Sequence, residues 1–187
     1  MPLTTYDEAR PWARAIREEV LARRMPKWHA VRGYGDFAND PSLSPFEIAL
    51  IVAWVDGGAP RDLPESATLN VAAKSPVVST FRRTSTPSRQ LSFPCNNPPR
   101  VTGRLLAVRP ELDEGGSVGI TVRHAGGVPE IVGWIRGFEP EFTETYWLRT
   151  PIPLNAESRL QAQSAGACRL TIWIDAPSSR RSPQGPL

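Results

Sequence analysis

The sequence has few of the side chains that build catalytic or metal centres. Its 187 residues include two cysteines and two histidines, with no C-x-x-C pair and no C-x-x-C-H run. A zinc site would need Cys95, Cys168, His29 and His124 to converge, which these spacings disfavour. The two cysteines are either free buried thiols or one disulfide in an exported protein, and the sequence leaves both open.

Other absences narrow the classes of partner. The net charge is +3, but lysine and arginine form no block interleaved with aromatic residues, so we expect no nucleic-acid partner. No apolar run approaches the roughly 20 residues that span a bilayer, so we expect no transmembrane segment. The first residues, MPLTTYDEAR, lack the basic and apolar stretches of a signal peptide.

The sequence also lacks a catalytic arrangement. Serines are numerous, but neither His29 nor His124 has a motif partner, so no Ser-His-Asp triad is predicted. His124 follows a predicted strand and is expected to be a surface histidine at a turn. The glycine pairs at 115–116 and 126–127 are typical of hairpins and do not fit a phosphate loop. We therefore predict that the protein is not an enzyme.

What is present begins with a helix pattern over residues 4–24. Apolar residues recur there at helical spacing, and Thr4 or Thr5 is the predicted N-cap. Pro11 removes a backbone hydrogen bond, so it predicts either a kink or a later start of the helix. Pro26 ends the pattern.

A second helix pattern, over residues 44–56, is the best specified part of the sequence. Ser44, Pro45 and Glu47 form a capping box with proline at the first helical position, and the two glycines at 57–58 supply the stop. The helix is apolar almost all round, so we expect it to be buried on more than one side. Two helices and a loop have too few apolar side chains to bury this helix on more than one side. Either another segment completes the domain, or the helix packs on the domain that follows.

The turn between the two helix patterns holds Met25, followed by Pro26 and Trp28. A thioether on a turn beside aromatic rings suits axial ligation of a haem iron. The same residues also suit a buried Met–Trp packing cluster, because methionine fills gaps and contacts rings well. The aromatic loop of residues 26–43 is expected to cover either the core of the helical pair or a flat ligand.

The rest of the chain changes in composition twice. Residues 61–99 are rich in proline, serine and arginine and are predicted to be a linker, with one short strand pattern at 77–81. Residues 100–175 alternate with period two and are typical of an antiparallel sandwich, and the tail, 176–187, is predicted to be disordered. The predicted fold class is α+β, with a short N-terminal helical segment followed by an antiparallel β-sandwich. The predicted strands cover residues 101–108, 117–123, 130–136, 145–148, 159–163 and 168–174.

Four runs within residues 1–60 carry a family resemblance. They are MPLTTYDEARPWA at 1–13, RMPKW at 24–28, LSPFEI at 43–48 and AWVDGGAP at 53–60. In this order they resemble the C-terminal part of a small c-type cytochrome domain found in large exported bacterial proteins. The resemblance implies that Met25 of the M-P-x-W motif is the second axial ligand of a haem c, with Trp28 beside it. It also implies a C-x-x-C-H segment ahead of this chain, so haem binding is not expected in the chain as given.

Residues 105–165 resemble, more weakly, the C-terminal β-domain of copper type II, ascorbate-dependent monooxygenases. The similarity lies in 134–142 and 146–154, and residues 155–159 read NAESR where the family has a proline and a glycine. Copper would need histidine or methionine ligands, whereas residues 108–112 read VRPEL. Copper-dependent hydroxylation is therefore not expected.

Together the resemblances imply a fragment of a haem c electron-transfer protein, located in the periplasm or outside the cell and acting with a redox partner. The alternative is a non-catalytic binding or structural module that joins a helical pair to a β-sandwich and contacts an envelope protein. A remnant of a copper-dependent oxidase is the third hypothesis. Residues 1–60 form the first domain in each case, and we expect the reading frame to begin inside a longer cytochrome domain.

Overall fold

The computed structural model of the chain describes residues 3–61 and 86–175. These residues fall into two compact units. Residues 3–28 and 41–61 belong to a helical unit, whereas His29–Asp40 and residues 86–175 belong to a β unit. No helix in the described part of the chain is long and apolar enough to cross a membrane.

The helical unit contains a broken first helix. Helix α1 spans Tyr6–Ala9, a 3₁₀ turn spans Arg10–Trp12, and helix α2 spans Ala13–Leu21. Thr5 is the N-cap of α1 and forms a capping box with Glu8. The break falls at Pro11, as predicted, because proline has no N–H to donate to the preceding turn. The helix ends at Leu21, short of the predicted residue 24.

Helix α3 spans Pro45–Asp56 and has the predicted capping box between Ser44 and Glu47. Gly58, with a φ of 87°, adopts the left-handed conformation after its end. The expectation that this helix is buried on more than one side is wrong. Among the described residues none of its side chains is buried, although the helix is apolar almost throughout.

The β unit is a pair of antiparallel sheets, which confirms the predicted α+β class. Four strands form one sheet in the order β1-β7-β2-β5, and three form the other in the order β4-β3-β6. The strands are β1 Arg89–Pro94, β2 Gly103–Leu112, β3 Ser117–Arg123, β4 Glu130–Arg136, β5 Tyr146–Leu154, β6 Arg159–Ser164 and β7 Cys168–Asp175.

Strand β1 lies inside the range predicted to be linker, 61–99, so that prediction requires correction at residues 89–94. The strand pairs with β7, and from Gln90 to Pro94 exposed side chains alternate with the less exposed Leu91 and Phe93. This alternation is only five residues long and lies in a stretch rich in proline and serine, which is why the sequence predicted a linker there. The predicted strand at 77–81 and the tail at 176–187 lie outside the described residues.

Apolar side chains from both sheets fill the space between them. A β-bulge in the β3–β4 pairing shifts the alternation of β4 at residue 132, so Val132 and Ile135 are buried. Ile131, which the period-two pattern places in the core, is exposed. The other strand residues that are at most 2% exposed are Leu105, Ala107, Val108, Val118, Ile120, Val122, Tyr146, Leu170, Thr171, Ile172 and Ile174.

Residues 29–40, which we call the strap, connect the two sheets along one side. Bridges join Ala30 to Ile135 of β4 and Phe37 to Leu148 of β5. Both β4 and β5 are edge strands, so the strap pairs with backbone groups that would otherwise be open. This segment was predicted to belong to the first domain with the helices, and the structure places it in the β unit instead.

Candidate functional site

The residues that place Met25 are those that end helix α2. Arg23, at a φ of 55°, turns the chain, and the backbone N–H of Arg24 donates to the carbonyl of Glu19 at 2.9 Å. The guanidinium of Arg24 also donates two hydrogen bonds to the carboxylate of Glu19, at 2.9 and 2.7 Å. This hydrogen bonding lowers the pKa of Glu19. The peptide bond that follows, between Met25 and Pro26, is cis.

Met25 itself lies near the surface. Its side chain is 43% exposed, whereas Trp28, three residues later, is half-buried. The thioether is therefore not enclosed in a buried Met–Trp packing cluster. A methionine that lies on a turn and is partly exposed can contact a further group.

Helix α3 presents an apolar stripe that the described chain leaves exposed. Its members are Phe46, Ala49, Leu50 and Ala53, all exposed and spaced so that they share one helical face. Phe46 is 71% exposed and Leu50 is 53% exposed. Such a stripe is typical of a helix that packs against a further group or segment.

Polar contacts fix α3 to the first helices of the same unit. The hydroxyl of Tyr6 donates to the carbonyl of Ala59 at 2.8 Å, and Arg17 pairs with Asp56 at 3.1 Å. Beside the Tyr6 contact lies an open groove of about 720 Å³. Charged side chains, among them Asp7, line part of it, so it differs in character from the apolar stripe.

In the β unit, the stretch in which the monooxygenase resemblance places copper ligands forms part of strand β2. Val108, Pro110 and Leu112 are buried there, and none of these side chains has a metal-binding atom. Across residues 3–61 and 86–175, no three His, Cys, Asp or Glu side chains are grouped closely enough to hold a metal ion.

The structure brings together three polar residues that the sequence provides no reason to group. Nδ1 of His124 lies 3.1 Å from Oγ of Ser158, and its Nε2 lies 3.1 Å from a carboxylate oxygen of Glu130. The prediction that His124 lies at a turn after a strand is confirmed, but it has two partners. Asn155-x-x-Ser158 is a turn signature that could have pointed to the second turn, though not to its contact with His124.

This arrangement resembles a nucleophile triad only in its composition. Ser158 is 4% exposed, and its Oγ already donates to Oδ1 of Asn155 at 2.9 Å and accepts from the Asn155 N–H at 3.0 Å. A nucleophilic oxygen must reach a substrate, and this oxygen is enclosed in its own turn. The three residues therefore connect the β3–β4 hairpin to the turn before β6.

The two cysteines form one disulfide, which settles the alternative that the sequence left open. Cys95 directly follows β1 and Cys168 begins β7, and their Cα atoms are 5.4 Å apart. The N–H of Cys95 also donates to the carbonyl of Cys168 at 3.0 Å. The disulfide thus attaches strand β1 to its partner strand β7.

The two residues predicted to contact a cofactor, Met25 and Trp28, lie together on the turn after α2. His29, which follows them directly, belongs to the β unit and packs its ring against Phe138, with centroids 5.6 Å apart. The apolar stripe of α3 was not predicted as a functional surface, although the all-round apolar pattern of residues 44–56 was its signal. Comparison of the chain with protein-family models, with curated proteins and with solved structures gives no match.

Proposed function

We propose that the helical unit is the axial-methionine part of a haem c domain and that the protein serves in electron transfer. The observation that carries this proposal is Met25, an exposed thioether on a turn that immediately follows α2. The C-x-x-C-H segment and its histidine ligand would come from a part of the domain that this sequence does not include. The chain alone is therefore not expected to hold haem covalently.

The residues present fit the group that the proposal requires. The side chain of Met25 is accessible, and a thioether is a known axial ligand that raises the reduction potential of a haem. The apolar stripe of α3 is a surface that a haem and its attachment segment would cover. The bound haem would supply one-electron chemistry, while this chain would provide a ligand and exclude water.

The disulfide supports the proposed location. Disulfides persist in oxidising compartments and are rare in the cytosol of most organisms, and the Cys95–Cys168 bond joins two paired strands. We therefore propose a location in the periplasm or outside the cell, where an unidentified redox or envelope protein would be its partner.

A titration with a short haem c peptide tests the ligand role of Met25. The peptide carries C-x-x-C-H and its histidine, and its iron has an open sixth position. Addition of the full chain is expected to produce the absorption spectrum of a haem with histidine and methionine ligands. The variant Met25→Ala should not produce it.

Leu21→Ala is the matched control for Met25→Ala. Leu21 lies four positions earlier and is 49% exposed, so its truncation removes a similar amount of exposed apolar surface without removing a ligand. If both variants give the wild-type spectrum, or if the wild-type chain does not change the spectrum of the peptide, the haem proposal is wrong. A second check is the coding sequence upstream of Met1, which should encode C-x-x-C-H in the same frame.

The exposed stripe on α3 also favours a second candidate function, a binding module without redox chemistry. In that case the stripe would contact an apolar surface of an envelope protein. In that case, addition of the chain would not change the absorption spectrum of the haem c peptide. The variant Met25→Ala would give the same result as the wild-type chain. A copper titration would test the oxidase-remnant hypothesis, for which we expect no binding at micromolar copper.

A further inference from the structure

We propose that the outer face of the three-stranded sheet binds an acidic polysaccharide, with a sugar ring against Trp134 and a sugar carboxylate at Arg123 and Arg159. The observations that carry this proposal are an aromatic ring beside open space, a line of amide side chains, and two arginines that face each other across neighbouring strands. All of them lie within the β unit. The haem proposal concerns the helical unit, so the failure of either proposal leaves the other unchanged.

Strand alternation places the polar side chains of β3 on one face. The valine and isoleucine side chains of this strand are buried between the sheets, so the residues that alternate with them lie on the outer face. The register with β6 then forms three rows, which are Gly119 opposite Gln163, Thr121 opposite Gln161, and Arg123 opposite Arg159. Successive rows are two residues apart, which is about 7 Å along the strands.

The first row includes an aromatic ring. Trp134 of β4 is the register partner of Gly119 and is half-buried. The strap supports it, because the N–H of Val31 donates to its carbonyl at 2.7 Å. The ring of Tyr34 lies nearly perpendicular to the indole, at 78°, with the centroids 5.0 Å apart. A rigid indole that is held in this way can pack against the apolar face of a sugar ring.

Beside the indole, Gly119 leaves the surface of the sheet open. A Cβ built at Gly119 would meet nothing within 4 Å. Neither Trp134 nor Gln163 therefore closes over this position, although both are its register partners. Adjacent strands are about 4.8 Å apart, so the backbones that carry these two side chains lie about 10 Å apart. The gap gives a ring access to the sheet between an indole and an amide.

Amide side chains border the other side of this gap. Gln163 is exposed and Gln161 is half-buried, and both belong to β6, an edge strand of the sheet. An open groove of about 410 Å³ lies along this edge, where Asn96 adds a third amide. Each amide group both donates and accepts hydrogen bonds, which suits the neighbouring hydroxyl groups of a sugar.

The charges at the other end of the face favour an acidic saccharide. Arg123 and Arg159 are direct cross-strand neighbours, and like charges in this position repel each other. Arg159 donates to the backbone carbonyls of Ala156 and Ser158, which are neutral groups. The charged residues among those that line the groove are Arg159 and Arg100, and both are basic. A bound carboxylate would offset the repulsion through charge-assisted hydrogen bonds.

The same face suits a nucleic acid less well. Single-stranded nucleic acids bind through successive bases that stack on aromatic side chains along a basic groove. Here the aromatic rings of Trp134 and Tyr34 lie together at one end, and the arginine row is about 13 Å farther along the strands. Between them lie Thr121 and Gln161, which are polar and uncharged. A chain rich in hydroxyl groups with a carboxylate at one end matches this order of groups.

The decisive variant fills the gap and keeps every other side chain of the face. Gly119→Thr adds a β-branched side chain in the open space, and such side chains are favoured in strands. Ser92→Thr is its control, because Ser92 is exposed on β1 of the other sheet. Arg123→Gln removes one charge of the arginine row. Arg89→Gln, at an exposed position of β1, is the matched control.

The full-length proteins are titrated calorimetrically with oligosaccharides of galacturonic acid and of mannuronic acid. A neutral glucose oligosaccharide of the same length and oligothymidylate are the comparison ligands. Urea unfolding of each variant shows that it is folded. Because Arg123 is exposed, Arg123→Gln provides a test even if Gly119→Thr does not fold.

We expect the wild-type chain to bind at least one of the two acidic oligosaccharides and to bind the neutral one about tenfold more weakly. Gly119→Thr should weaken binding of the acidic oligosaccharide by about tenfold or more, because its side chain clashes with the ligand. Arg123→Gln should weaken it about three- to tenfold and reduce its dependence on salt. The two control variants should bind as the wild-type chain does.

Three results would overturn the proposal. The first is a wild-type chain that binds neither acidic oligosaccharide, or that binds the neutral one equally well. The second is a folded Gly119→Thr or Arg123→Gln variant that binds as tightly as the wild-type chain. The third is binding of oligothymidylate without binding of the acidic oligosaccharides, which would assign the face to a nucleic acid.

Discussion

At the scale of single residues, the packing of Phe37 depends on a glycine in another strand. Gly133 lies in β4 and is buried, and its missing side chain is what allows the ring to approach the strand. A period-two pattern cannot signal this requirement, because the residue that needs the space is almost one hundred positions away in the sequence. A glycine inside a strand pattern is compatible with the close approach of another group, but it does not show which group approaches.

Gly133→Ala should therefore destabilise the β unit. The added Cβ would lie 2.8 Å from Cζ of Phe37, which forces the ring or the strap to shift and should lower the free energy of unfolding by about 1–3 kcal/mol. Urea unfolding, monitored by tryptophan fluorescence, measures this decrease in the free energy of unfolding. Gly119→Ala is the control, since Gly119 lies in the adjacent strand β3 and a Cβ added there would meet nothing within 4 Å. Equal stability of the two variants would contradict the packing of Phe37 against Gly133.

A second residue-scale prediction concerns pH. Burial raises the pKa of Tyr146 well above the ordinary tyrosine value, with a further increase from Glu144 that is opposed by a hydrogen bond from the backbone of His29. The folded chain keeps this proton at a pH at which the unfolded chain releases it. The contribution to stability is therefore complete below about pH 10 and decreases above it.

Tyr146→Phe isolates that contribution. At neutral pH the variant should be less stable by about 0.5–1.5 kcal/mol, because a hydrogen bond is lost. Above about pH 10 the difference should shrink, because only the wild-type chain has this proton to lose on unfolding. Urea unfolding of both proteins from pH 7 to 11 checks this, and a difference that stays constant over that range would show that Tyr146 ionises equally in both states.

At the scale of elements, the sequence predicted best where one strand face is buried. The bounds of β3 and β4 were predicted to the residue, because valine and isoleucine alternate with polar residues in β3 and turn glycines flank both strands. The capping box of α3 was predicted equally well, because it depends on residues that are close in sequence. Strand β1 was missed because its alternation, from Gln90 to Pro94, is only five residues long and lies in a stretch rich in proline and serine.

The role of the disulfide gives an element-scale prediction. The bond closes a loop between residues 73 positions apart, which by loop-closure entropy stabilises the fold by at most about 4 kcal/mol. The double variant Cys95→Ala and Cys168→Ala should therefore lower the free energy of unfolding by about 2–4 kcal/mol. The loss should be accompanied by faster hydrogen exchange in β1, the edge strand.

Reductant provides the control for that experiment. Dithiothreitol should destabilise the wild-type chain by a similar amount and leave the double variant unchanged. If reduction does not alter the stability of the wild-type chain, the bond does not hold β1 in the folded protein.

At the scale of the whole molecule, the two units alternate along the chain. The helical unit is interrupted between α2 and α3 by the strap, which the hydrogen bonds assign to the β unit. The sequence suggested a simple boundary near residue 60, because the composition changes there. Neither the contacts of Asn39 with β5 nor those of Val31 with β4 leave a local pattern, since each joins residues about one hundred positions apart.

The two units should also differ in stability. In the described part of the helical unit, the buried apolar residues are Ala13, Val20 and Ala59, and α3 has twelve residues, a length at which an isolated helix is marginal in water. The β unit, by contrast, buries many apolar side chains between its two sheets. Hydrogen exchange of the full chain should therefore show amides of α2 and α3 that exchange much faster than those of the central strands β2, β3 and β7.

Hydrogen exchange measured in the presence of the haem c peptide also tests whether the peptide covers the exposed stripe of α3. If the peptide covers the stripe of α3, protection of the α3 amides should rise when the peptide is added, whereas the amides of β7 should not change. The variant Met25→Ala should reduce this increase, because a ligand stabilises only the state that it binds. If α3 is already as protected as β7 in the free chain, the helical unit is complete without a further group, and the argument from its exposed stripe fails.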